Sequence, residues 1–130
     1  MLQSRRKLPF DDLLYFSLKV REHIFSIVVS ILTRTPLCII GTPGQSKTLS
    51  FQIVLQNLQG ASLSPKSFCK RLSAIDPFFC LGSKYTRSED IAYVFERAIK
   101  REQQYEQNHT KTRCVCLSSN LFLHCSICLF

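Results

Sequence analysis

An α/β layered fold is predicted by three observations. Short apolar runs at residues 37–40, 78–81 and 113–117 alternate with segments of helical periodicity, the order expected of a sheet covered by helices. The first run, Leu37-Cys38-Ile39-Ile40, is apolar at every position, as a strand packed on both faces should be. It leads directly into Gly41-Thr42-Pro43-Gly44-Gln45-Ser46-Lys47-Thr48, a tight Gly/Pro turn that opens a further helix-periodic segment.

The elements follow in order. Asp11 or Asp12 is placed to cap a helix reaching about Leu32, with Leu14, Leu18, Arg21/Glu22, Phe25, Val28/Val29 and Leu32 at three-to-four spacing and Lys19, Arg21, Glu22 and His23 breaking the middle of its apolar stripe. Pro36 stops it and lets the chain turn into the strand at 37–40. The next helix is expected over about 46–59, with Leu49, Ile53 and Gln56 on one stripe, Val54 and Leu58 beside it, and Gly60 as its stop. Ser64-Pro65 reads as an N-cap followed by the first helical residue, opening a helix through Phe68, Leu72 and Ile75 that Pro77 ends. Phe78-Phe79-Cys80-Leu81 is the second strand. Thr86 and Glu89 stand at capping-box spacing before a helix whose apolar face is Ile91, Phe95, Ala98 and Ile99. Residues 101–112 are polar and are expected to fray into a loop before the strand at 113–117.

The loop at 41–48 carries the chemistry. A chain of phosphates needs several backbone amides aimed at one point, which requires glycine where a side chain would obstruct the approach. Gly41 and Gly44 supply that freedom, Pro43 stiffens the turn, and the following helix adds its amide-bearing positive end. Lys47 is placed to reach the outer phosphates, and Thr48 to offer its hydroxyl to Mg²⁺. The spacing is that of a Walker A loop, except that Ser46 stands where the last glycine is usual.

Composition narrows the remaining classes. Of 130 residues, 17 are basic and 9 acidic, a net charge of +8. The excess is diffuse, and residues 114–130 carry no charged side chain. It would favour a polyanion but identifies none. Lys66, Lys70, Arg71, Lys84, Arg87, Arg97, Lys100 and Arg101 lack interleaved aromatics and read as solvated faces, so no specific nucleic-acid partner is expected. The apolar runs at 24–32 and 121–130 are far short of the roughly 20 residues a helical span requires, so no transmembrane segment is expected. No signal peptide is visible, since Leu8-Pro9-Phe10-Asp11-Asp12 interrupts any apolar region after the basic start. The seven cysteines are therefore expected to be reduced thiols in a cytoplasmic protein. Cys114, Cys116, His124, Cys125 and Cys128 invite a zinc reading, but the first pair has one intervening residue and the segment lacks the turn-forming residues of a zinc knuckle.

The stretch from Thr35 to Leu49, with its Pro-Gly-x-Ser-Lys-Thr-Leu core, resembles the first AAA+ module of the mysterin family. These are giant RING-finger E3 ubiquitin ligases built on a dynein-like AAA+ core. Serine before the lysine is a peculiarity of that family. The likeness extends over roughly residues 10–115, through Gln59-Gly60, residues 78–86 and the helix with Phe95. It implies a P-loop NTPase (AAA+) three-layer sandwich that binds ATP and Mg²⁺ through Gly41, Thr42, Pro43, Gly44, Gln45, Ser46, Lys47 and Thr48. The parent activities it implies are ATP hydrolysis and ubiquitin transfer, with other AAA+ modules or protein partners.

In the family, the strand that starts near residue 113 runs on into Leu-Asp-Glu, the acidic pair that manages Mg²⁺ and water. Here Val115 is followed by Cys116-Leu117-Ser118-Ser119-Asn120-Leu121, and no Asp or Glu follows Glu106. The expectation is a fold truncated after its third strand: an N-terminal helical segment (1–35), a partial nucleotide-binding core (36–115) and a divergent Cys-rich tail (116–130) of the kind that read-through of an exon end produces. Such a chain, with no catalytic residue assigned, would bind nucleotide without hydrolysing it. Alternatively it would be an inactive fragment acting only through protein association. The strand at 37–40 is further expected to lack its sheet neighbours.

Overall fold

A computed structural model describes residues 17–41, 46–120 and 127–129. The element order is α1 (Leu18–Thr33), β1 (Leu37–Ile39), α2 (Lys47–Asn57), α3 (Ser67–Arg71), β2 (Ala74–Gly82), α4 (Ser88–Gln107), β3 (Thr112–Asn120) and β4 (Ile127–Leu129). The four strands form one sheet in the order β1-β4-β3-β2. β2 and β3 run parallel over nine paired positions, from Ala74 opposite Thr112 to Gly82 opposite Asn120. β4 runs antiparallel to both β3 and β1, with Cys128 opposite Ser118 on one side and Cys38 on the other.

The alternation of β3 sorts the layers. Val115 and Leu117 point into the main core, which α1 and α2 supply with Val20, Ile24, Ile27, Ile31, Phe51, Ile53, Val54 and Leu58. Cys116, between them, points the other way and lies with Cys80 under Val94 and Phe95 of α4. Helices thus cover both faces of β3, the three-layer α/β arrangement expected. β1 contributes Leu37 and Ile39 to the α1/α2 side, while Cys38 between them is exposed. The expectation that this strand is covered on both faces holds on one face only, since α4 lies over β2 and β3.

Several local readings are corrected by the packing. β1 has a neighbour after all: β4, drawn from the uncharged tail, fills the place between β1 and β3. α1 buries Val20, Ile24, Ile27 and Ile31 and leaves Leu18, Phe25, Val29 and Leu32 exposed. The helix is apolar around most of its circumference, so periodicity alone did not select the buried stripe. The proposed start at Asp11 or Asp12 lies outside the described residues.

Ser64 does not cap a helix. Its Oγ accepts the Gln59 amide at 3.1 Å, holding the preceding loop, and α3 is a single five-residue turn that starts at Ser67. Pro77 is no strand boundary either. β2 begins three residues earlier at Ala74 and carries Pro77 within it, as an edge strand tolerates when the missing N–H faces away from the sheet.

The 101–112 stretch also differs from expectation. α4 continues to Gln107, because Arg, Glu and Gln are good helix formers and the helix is tied to the sheet there. Tyr105 Oη donates to Asp76 Oδ2 at 2.8 Å, and Arg101 Nε lies 3.5 Å from the same oxygen. At its start the Arg87 amide donates to Asp90 Oδ2 at 2.8 Å, whereas Thr86 Oγ1 instead accepts the Ser83 amide.

Candidate phosphate-binding site

β1 delivers the chain to Gly41, and α2 resumes it at Lys47; residues 42–45 lie outside the described residues. Of the predicted loop residues, the structure therefore places Gly41, Ser46, Lys47 and Thr48. Ser46 sits in the left-handed region at φ 56° and ψ 23°, a conformation that costs a non-glycine residue about 1–2 kcal/mol. From there its carbonyl accepts both the amide and the hydroxyl of Ser50 at 2.9 Å, so the backward turn is fastened to the first turn of α2. The position where glycine is usual thus does adopt a glycine-like conformation.

Lys47 is the first residue of α2 and only 4% exposed. Its Nζ reaches back across the loop and donates to the Gly41 carbonyl at 2.7 Å. An ammonium–carbonyl contact thus joins Lys47 to the residue that ends β1's approach. Burying an ammonium in this way requires an acceptor, and a neutral carbonyl is a weaker partner than an anionic oxygen. Thr48 is exposed on the same turn, beside the amides that have no acceptor within the helix.

α1 lays one more group against the site that sequence reading had not assigned to it. His23 is half-buried, with an Nδ1 sealed from solvent and without a hydrogen-bond partner. Its pKa is lowered, chiefly by burial and next by the Lys47 ammonium, with Lys19 acting the same way and Glu22 opposing. The ring is accordingly neutral at pH 7. Nothing in the spacing of α1 relative to the loop announces this pairing, because it depends on how α1 crosses α2.

The sign of the resulting pH effect is fixed by that direction. Above the ordinary value of 6.5, His23 is neutral whether the chain is folded or unfolded. Below it, the unfolded chain takes up the proton first, so stability falls as pH drops through 6.5 and levels off beneath the lowered folded value. His23→Gln is expected to flatten this part of the melting-temperature profile between about pH 7 and 5. If parent and variant lose the same number of degrees over that interval, His23 is not the group responsible.

Burial favours the protonated form of three thiols, two on β3 and one on α3. Burial pushes Cys114 up to about 11, with Asp76 and Glu102 adding to the effect, and it raises Cys116 and Cys69 as well. Among the described residues, no three His, Cys, Asp or Glu side chains come together in a way that could hold a metal ion. The described residues also include no helix long and apolar enough to cross a membrane.

A short strand, a turn region and a helix begun by a buried lysine stand in the order the sequence led us to expect, and comparison with known proteins gives the family. The sequence model of the RNF213 AAA domain matches residues 14–119. The chain belongs to the RNF213 AAA domain family. The match takes in α1, the loop, α4 and all but the last residue of β3. A putative uncharacterized transmembrane protein of Dictyostelium discoideum is 42% identical over 82 residues, which is 61% of this chain. The RNF213-family chain described here spans about 1% of that relative's length. No solved structure matches it.

Proposed function

We propose that this RNF213-family chain binds ATP·Mg²⁺ through the loop at residues 41–48, as the phosphate-holding part of an AAA ATPase module. The observation that carries this reading is the nearly buried Lys47 ammonium at the start of α2, which donates to the Gly41 carbonyl. Phosphate oxygens would replace that carbonyl with a stronger, charge-assisted partner. Gly41 and Gly44 would let the backbone approach, Thr42, Pro43 and Gln45 would complete the loop, and Ser46 would set the turn into α2. Thr48 would offer its hydroxyl to Mg²⁺, which would neutralise phosphate charge.

Hydrolysis is a separate matter. The mysterin pattern has Leu-Asp-Glu along this strand, whereas here Cys116-Leu117-Ser118-Ser119 follows Val115, and these side chains do not supply the carboxylates that hold the Mg²⁺ shell and polarise water. The reading is therefore nucleotide binding without turnover by these residues. In this reading the module serves a larger cytoplasmic, mysterin-like E3 ubiquitin ligase alongside further AAA+ modules. The residues 36–115 form its nucleotide-binding core, with 1–35 preceding it and 116–130 as the divergent end. The competing reading is a catalytically silent fragment that acts by associating with other proteins.

Melting of the purified chain with and without Mg·ATP separates the two. At a ligand concentration 100 times Kd, binding contributes about 2.7 kcal/mol, or a rise of roughly 10 °C for a domain of this size. The rise is expected in the parent and absent in Lys47→Ala. A parent chain that ATP leaves unshifted would favour the association reading.

A further inference from the structure

We propose that the outer edge of β2 is a docking site for an extended peptide in which acidic and apolar residues alternate. β2 ends the sheet on the side away from β1, so one row of its backbone groups faces outward. Which row is fixed by two hydrogen bonds. The Ala74 amide donates inward to the Lys111 carbonyl at 3.0 Å, and the Ile75 amide donates away from β3, to the Leu58 carbonyl at 3.1 Å. Odd-numbered residues of β2 therefore present their amides at the open edge. Ile75 is already taken, and Pro77 has no N–H to give. Among the described residues that leaves Phe79 and Leu81 as donors, with the Pro77 and Phe79 carbonyls beside them. The vacancy is short and its register is defined: Pro77 blocks one end, and Gly82 ends the strand at the other.

The two faces flanking that edge differ in chemistry. On the α2 side, Phe79 and Leu81 are 60% and 64% exposed. On the α4 side, a groove of about 720 Å³ runs between the strand and the helix, with Arg97, Lys100 and Arg101 along its wall. Asp76 is the one carboxylate lining the groove, and it is already engaged by Tyr105 and Arg101. Arg97 and Lys100 remain exposed there. A strand added to this edge must send successive side chains to opposite faces. One set would cover Phe79 and Leu81, and the other would meet Arg97 and Lys100. Main-chain pairing gives the attachment, and the charge complement chooses the peptide.

The test is fluorescence anisotropy of a fluorescein-labelled Glu-Val-Glu-Val-Glu-Val peptide titrated with the purified chain. The Lys-Val-Lys-Val-Lys-Val peptide is the control. Binding is expected for the acidic peptide alone, and it should weaken with added salt. Leu81→Pro withdraws one outward donor, and Arg97→Glu with Lys100→Glu reverses the wall. Each is expected to weaken binding by about tenfold or more. Should Leu81→Pro unfold the chain, the double reversal on the exposed helix surface decides. Equal binding of both peptides, no binding at all, or acidic-peptide binding indifferent to the variants would overturn the proposal. So would a concentration-dependent dimer of the free chain that Leu81→Pro dissociates, since the edge would then be filled by a second copy.

Discussion

Phe51→Ala is expected to lower the unfolding free energy by about 3–5 kcal/mol, the usual cost of emptying a large aromatic site in a packed core. Phe51 is 1% exposed and joins the α1/α2 core to the edge strand by a T-shaped contact with Phe79, ring centroids 6.2 Å apart. A domain of this size has a total stability of roughly 5–15 kcal/mol. The variant should therefore melt far below the parent or show no cooperative transition. The other half of the contact supplies the control. Phe79 is mostly exposed, so Phe79→Ala loses chiefly the pair interaction, about 0.5–1.5 kcal/mol. Urea titrations of the two variants give the comparison directly. A Phe51→Ala midpoint no lower than that of Phe79→Ala would mean that the core is not organised around α2.

Removing β4 is expected to dismantle the site at a distance. β4 pairs with β1 through Leu129, Cys128 and Ile127, and it is the neighbour that joins β1 to the rest of the sheet. A chain ending after Asn120 loses the hydrogen bonds on both sides of β4, each worth about 1 kcal/mol net, so a loss of several kcal/mol follows. More telling than the size is the place. β1 would keep its packing on α1 but lose its ladder, and the loop it delivers would no longer be held opposite Lys47. The Mg·ATP-dependent rise in melting temperature should vanish in the shortened chain, and amide exchange should accelerate in β1 more than in β2. Cys128→Pro, which removes a donor from the middle of the same strand, should act in the same direction. If the shortened chain melts and responds to ATP like the parent, β4 has no part in holding the loop.

The parts of this molecule that were legible in the sequence are those set by local chemistry. Leu37-Cys38-Ile39-Ile40 followed by glycine reads as a short apolar strand entering a turn, and Lys47-Thr48 opens the next helix as its spacing required. The departure at Ser46, where glycine is usual, did not by contrast disclose the backbone it requires. The left-handed conformation with Ser50 accommodates it.

The failures share one cause, which is dependence on partners far along the chain. Pro77 looked like a terminator because its outward orientation on an edge strand is a property of the sheet. Residues 101–107 looked like a loop because the contacts of Arg101 and Tyr105 with Asp76 cross from helix to strand. α1 carries apolar residues over rather more than half of its circumference, too wide an arc for the buried stripe to stand out. β4 was the hardest to see. A three-residue apolar strand within a largely apolar segment has no periodicity to declare it, and only the gap beside β1 gives it a role.

The pairing of β1 with β4 also bears on how the fold is reached. The two strands lie about 90 residues apart in the sequence, whereas β2 and β3 are separated by little more than one helix. Closing so long a loop for three rungs of ladder offers little reward until everything between has condensed, which places this step late in folding. Until then β1 carries two bare edges on an apolar strand, the state most open to pairing with another molecule. The competition between completing the sheet and aggregating is thus concentrated at the strand that leads into the phosphate loop, and refolding yield should fall with protein concentration for that reason.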